Sequence, residues 1–241
     1  MNELNNKSVY HEILNAMESA FKNNSIDIIQ DILVSPYLSE ARENYNQYAK
    51  KNDFSSIEEH ILVDASAQGL IDIIKFFFNH KDIEQSLVYN SLNYLFYIVC
   101  SKGHLEVAEY LMESPKLSEH ININYFRGVA LTSACENGQL HVVKYLLDSP
   151  KLKNNADINY LYEEDNFIDL LEKENSQTKV KGVREVIEYL IFEKKFKEDS
   201  RINDFINKPN NLVWLKMFET QELMYELDPS ENKTNNKRVK I

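Results

Sequence analysis

Cys100 and His104 stand four residues apart with Gly103 between them, the spacing at which an imidazole could draw a proton from a thiol and leave a nucleophilic thiolate. The same positions admit a plainer reading. Cys100 fills a slot that Ser66 and Cys135 fill elsewhere in the chain, which marks a small residue turned inward rather than a reagent. The histidines, at 11, 60, 80, 104, 120 and 141, form no pair four apart on one helix, so no metal site is expected. The sequence holds no phosphate loop, nucleophile elbow, His-Glu-x-x-His pair or Cys-x-x-Cys motif. No catalytic residue and no cofactor is therefore expected. A different chemistry is better represented. Among 14 tyrosines and 12 phenylalanines, Tyr94, Tyr97, Tyr125, Phe126, Tyr160 and Tyr162 recur at matching places, with Arg127 beside them. Tyrosine and arginine are the side chains that concentrate binding energy at protein interfaces. Tyr97 reads as a packing residue; Tyr94, Tyr125, Phe126, Arg127, Tyr160 and Tyr162 are the candidate partner-binding residues.

Composition bounds what could present such a surface. The 241 residues suffice for one large domain, and only 5 Gly and 5 Pro leave too few turn residues for a sandwich, a barrel or a Rossmann sheet. An all-α fold is expected. The formal charge of -11 repels phosphate backbones, so nucleic acid is excluded as a partner and one with a basic patch is favoured. Four cations, Lys233, Lys237, Arg238 and Lys240, lie in the acid-free stretch 232–241, so the acidity belongs to the rest of the chain. Two cysteines make neither a disulfide framework nor a zinc knuckle, which fits a reducing compartment. The longest apolar run, Tyr94 to Cys100, falls far short of the ~20 residues that span a bilayer. The start, Met1 to Lys7, lacks the charge and hydropathy of a secretory signal, so a cytoplasmic protein without membrane attachment is expected.

The organising feature is a repeat. Gly69, Gly103 and Gly138 are separated by 34 and 35 residues, each preceded by small residues and followed by apolar ones at helical spacing. Asn24 holds the glycine slot in a weaker copy, a residue that also tolerates a left-handed backbone, and Gly182 opens a fifth. The steps from 24 to 69 and from 138 to 182 hold insertions of about ten residues. Each unit reads as two helices, the first ending at the glycine with a small inner face, the second with a stripe at i, i+3, i+4 and i+7. Neither helix can bury its face alone, so the units must stack. Stacked helices ~8–10 Å apart also put equivalent cysteines beyond the ~7 Å limit for a disulfide, so Cys100 and Cys135 are expected to be free thiols.

The run Ala134-Cys135-Glu136-Asn137-Gly138-Gln139-Leu140-His141-Val142-Val143-Lys144-Tyr145-Leu146-Leu147, followed by Ala156-Asp157-Ile158-Asn159, resembles the ankyrin-repeat family. The resemblance covers about residues 8 to 208. It implies a solenoid of about five degenerate helix-pair repeats, near 8–36, 56–80, 90–120, 125–155 and 162–195, with an arm at 37–55. A C-terminal capping helix would close the stack within 200–228, leaving a disordered basic tail at 229–241. The family's Thr-Pro-Leu-His is replaced by Tyr94-Leu95-Phe96-Tyr97 and Val129-Ala130-Leu131-Thr132, while Ser114-Pro115-Lys116-Leu117 and Ser149-Pro150-Lys151-Leu152 are insertions after the second helices. The variant is similar to the divergent repeats of intracellular bacteria, amoebae and giant viruses. With 22 Lys against 5 Arg and 27 Asn, the chain also fits an AT-rich genome.

What the resemblance implies for function is a non-enzymatic module that binds a protein partner through its concave, finger-loop face, as a secreted host-targeting effector acting in the host cytosol or nucleus. Two alternatives stay open: an effector with a cryptic activity in residues 200–241, and a structural oligomerising subunit. The resemblance further implies that Asn124 and Asn159, which end the finger motifs, bond the loop backbone and are candidates for hydroxylation. The tail Lys237-Arg238-Val239-Lys240 matches a minimal nuclear-import pattern.

Overall fold

The computed structural model describes residues 12, 15–34, 57–80, 91–161, 168–171, 182–193, 200, 204, 216 and 220. The expected arm at 37–55, the tail at 229–241 and all but isolated positions of the expected cap lie outside them. Residues 15–23 are helical. They precede α1 (Ile26–Val34), α2 (Ile57–Gln68), α3 (Ile71–Asn79), α4 (Leu92–Lys102), α5 (Leu105–Glu113) and a single turn, α6 (Pro115–Ser118). Then come α7 (Tyr125–Glu136), α8 (Leu140–Asp148), a 3-10 turn (Ile158–Leu161) and α9 (Val183–Phe192). No strand occurs among the described residues.

The helices form two rows. First helices α2, α4 and α7 pack side by side, and second helices run beside them in the order α1, α3, α5, α8, α9. Small side chains set the spacing of the first row: Ala65 and Ser66 of α2, Cys100 of α4, and Ala134 and Cys135 of α7 are buried. The second row contributes the apolar stripes, with Ile73, Ile74 and Phe77 of α3 matched by Val107, Ala108 and Leu111 of α5. Val142, Val143 and Leu146 of α8, then Val186, Ile187 and Leu190 of α9, continue the same stripe. The core is thus one continuous seam between the rows.

Each helix pair is joined by the turn the spacing predicts. Gly69, Gly103 and Gly138 have φ of 71°, 82° and 68°, and Asn24 adopts φ 46° in the same role. At Gly103 the glycine N–H donates to the Cys100 carbonyl at 3.2 Å and the His104 N–H to the Val99 carbonyl at 3.0 Å. These bonds satisfy the carbonyls at the end of α4. The Ser-Pro insertions have a packing purpose. Pro115 starts α6, where its missing N–H costs nothing, and the turn delivers Leu117 to the core. Leu152 of the later insertion is buried likewise, although no helix forms there.

Candidate binding surface

The short segment between the finger loop and α7 is where the structure departs most from the sequence reading. Tyr125, Phe126 and Arg127 follow the finger asparagine and open α7, where Phe126 (φ 46°, ψ 53°), Arg127 (φ 59°, ψ 44°) and Gly128 (φ 72°, ψ 27°) form a turn of left-handed backbone that nothing in the residue types foretells. The right-handed helix begins only at Val129. The turn is anchored by the Tyr125 N–H donating to the Asn122 carbonyl at 2.8 Å and the Gly128 N–H to the Asn124 carbonyl at 3.2 Å. Thr132 Oγ1 donates toward the carbonyls of Gly128 and Val129, taking up acceptors at the helix start.

Left-handed backbone places a β-carbon against its own carbonyl and costs L residues roughly 1–2 kcal/mol each. Glycine at 128 escapes this, and its lack of a side chain also admits the Tyr160 ring, whose Cδ2 would stand 2.9 Å from an added β-carbon. Phe126 and Arg127 do not escape it. The backbone holds them outward: Phe126 is 78% exposed and Tyr125 47%, with ring centroids 6.4 Å apart, and Arg127 is exposed.

Asparagines tie this turn to its neighbours on both sides. Asn93, in the first turn of α4, accepts the Asn122 N–H on Oδ1 at 2.8 Å; Asn124 Oδ1 accepts the Asp157 N–H of the next finger at 2.9 Å. Within each finger, Asn122 Oδ1 accepts from the Asn124 N–H and Asp157 Oδ1 from the Asn159 N–H. Tyr94, beside Asn93, is 46% exposed and lies 5.9 Å from the half-buried Tyr97, which packs on the core. Tyr125 and Phe126 are thus adjacent, and half-buried Tyr160 covers the same turn. Tyr162 lies outside the described residues.

The Cys100–His104 pair is not assembled for catalysis. The His104 ring lies over Gly69, with Nε2 at 3.0 Å from the Ala67 carbonyl; one unit on, Gln139 takes the place over Gly103, and His141, two residues further, reaches the Gly103 carbonyl at 2.8 Å. Both histidines fasten a repeat to the one before it. Cys100 and Cys135 are free and fully buried, and burial pushes both thiols far above their ordinary range, the reverse of an activated thiolate. Among the described residues no group of three or more His, Cys, Asp or Glu side chains could hold a metal ion, and no helix is long and apolar enough to cross a membrane.

The second row carries a pattern the sequence reading missed. The residue six places after each turn glycine alternates as Lys75, Glu109, Lys144 and Glu188, and the next is aromatic: Phe76, Tyr110, Tyr145 and Tyr189. Each basic member reaches forward one repeat. Lys75 Nζ lies 5.6 Å from the Tyr110 ring centroid and Lys144 Nζ 5.1 Å from that of Tyr189. The Tyr189 hydroxyl also donates to Asp148, the last residue of α8. Lys151 instead reaches back, with Nζ 3.1 Å from Glu113 and 3.8 Å from Glu109. The signal was available in the register of the repeats, once aligned on their glycines.

No curated protein and no solved structure gives a significant match to the chain. The family model for ankyrin repeats (3 copies) matches residues 62–161, from within α2 to the end of the 3-10 turn. Two rows of helices, left-handed glycine turns and histidines that bridge successive units agree with that match, and the described residues form an all-α solenoid of ankyrin repeats.

Proposed function

We propose that the chain is a non-enzymatic protein-binding module whose partner docks on the finger-loop face, around Tyr125, Phe126 and Arg127, with Tyr94, Tyr160 and Tyr162 extending the surface. The carrying observation is the left-handed turn, in which two non-glycine residues are held in a costly backbone with an aromatic pair in solvent. Strain of this kind persists where surrounding structure over-determines it, and it clusters at binding sites. Ankyrin repeats are generally interaction modules, which supports the class. The net charge of -11 supports a partner with a basic patch. In this reading the face is the concave side of the stack and the protein acts as an effector in a host cytosol, where Asn124 and Asn159 would be accessible to an asparaginyl hydroxylase.

The test is recovery of a partner with the intact chain and mass spectrometry, followed by affinity measurement on Tyr125→Ala combined with Arg127→Ala. Truncating both should cost at least ~2 kcal/mol of binding, roughly thirtyfold in Kd, while the helical circular dichroism signal is kept. Unchanged affinity for the recovered partner would move the binding surface to the second-helix row or the 37–55 arm.

A further inference from the structure

Tyr145 and Tyr189 occupy the same place in successive units, seven residues after Gly138 and Gly182, and both are buried. Their hydroxyls are treated differently. Tyr189 donates to Asp148, ten residues after the preceding glycine, whereas Tyr145 Oη is buried with no hydrogen-bond partner among the described residues. The residue equivalent to Asp148 at that earlier junction is Glu113, ten after Gly103 and one methylene longer. Burial first, then the Glu113 and Glu109 carboxylates, hold the Tyr145 hydroxyl above its ordinary range, while Glu113 itself is engaged by Lys151 at 3.1 Å. A buried hydroxyl without a partner costs more than an ordinary hydrogen bond contributes, so this arrangement leaves Tyr145 wanting what Lys151 holds.

The geometry points to Glu113 as a shared carboxylate with two mutually exclusive partners, Lys151 Nζ at the surface and Tyr145 Oη in the α5–α8 junction. With Lys151 charged and in place, Glu113 lies outward and the loop from Ser149 to Leu152 is tied to α5. When an anion draws Lys151 away, Glu113 turns inward, accepts a hydrogen bond from the Tyr145 hydroxyl, which keeps its proton, and reproduces the bond that Asp148 accepts at the next junction. The exposed position of Lys151, in contrast to the burial of Tyr145, puts the trigger at the surface and the response inside the stack. The device does not depend on the binding face proposed above.

A double-mutant cycle on the full chain tests it. Tyr145→Phe should stabilise the parent, lowering the equilibrium constant for unfolding by about fivefold or more, because it removes a buried hydroxyl that has no partner among the described residues. In the Lys151→Met background, which keeps the stem and removes the charge, the same change should destabilise by about tenfold. An equal effect of Tyr145→Phe in both backgrounds would overturn the proposal. A second measurement needs no unfolding transition. The 13Cζ resonance of labelled Tyr145 should move in Lys151→Met as the hydroxyl becomes a donor; a resonance at the parent position would overturn the proposal as well.

Discussion

The glycine turns and the turn at 126–128 use the same left-handed region of backbone for opposite ends. At Gly69, Gly103 and Gly138 the backbone reverses between two packed helices, and the residue type removes the cost. At Phe126 and Arg127 the residue type imposes the cost, and the side chains so oriented face water instead of the core. The first arrangement is what folding alone requires. The second needs another reason, and presentation of an aromatic pair is the one that the exposure supports.

Substitutions can break or sharpen this contrast. The largest effect belongs to the glycine turns. Gly103→Val forces a β-branched residue to φ 82° and against the Gln139 side chain, and should lower stability by about 1–3 kcal/mol in urea unfolding. Wild-type stability would remove the distinction between the two kinds of turn. Phe126→Asn should act in the other direction, raising stability by about 0.5–1 kcal/mol because asparagine tolerates the left-handed region, while affinity for a recovered partner falls. Stability and binding moving together would show that Phe126 serves the fold. Smallest is Asn24→Gly. It relieves a left-handed residue but gives up the Asn24 Nδ2 to Asp72 contact at 3.2 Å, so thermal melting should place it within about 0.5 kcal/mol of the parent.

The repeat was legible because its determinants are local. A glycine in a fixed phase with small residues before it and an apolar stripe after it specifies turn, close approach and packing face from a dozen residues, and Asn24 was readable as the stand-in on backbone grounds alone. The slot shared by Ser66, Cys100 and Cys135 was legible for the same reason, as was the packing role of Tyr97. The left-handed turn was not. Phe126 and Arg127 have no propensity for that backbone, and what holds them there is a neighbouring loop: Asn124 bonded to Asp157, and Tyr160 seated on Gly128. The Tyr189–Asp148 and Lys151–Glu113 contacts were likewise out of reach until helices from different units had been set side by side.

The histidine bridges and asparagine links have a mechanical consequence. His104 to Ala67, His141 to Gly103, Asn93 to Asn122 and Asn124 to Asp157 each join one unit to its immediate neighbour. A load applied along the stack is therefore borne in series, like tension through the links of a chain, and extension concentrates at the link with the least resistance. Between α5 and α8 the Tyr145 hydroxyl has no partner among the described residues, while between α8 and α9 the Tyr189 hydroxyl is bonded to Asp148. Pulled from its ends, the described stack should part at the α5–α8 junction before it parts at α8–α9. The finger that carries Tyr125 and Phe126 would then part from α4, loading the Asn93–Asn122 link, and stay joined to the finger of Tyr160.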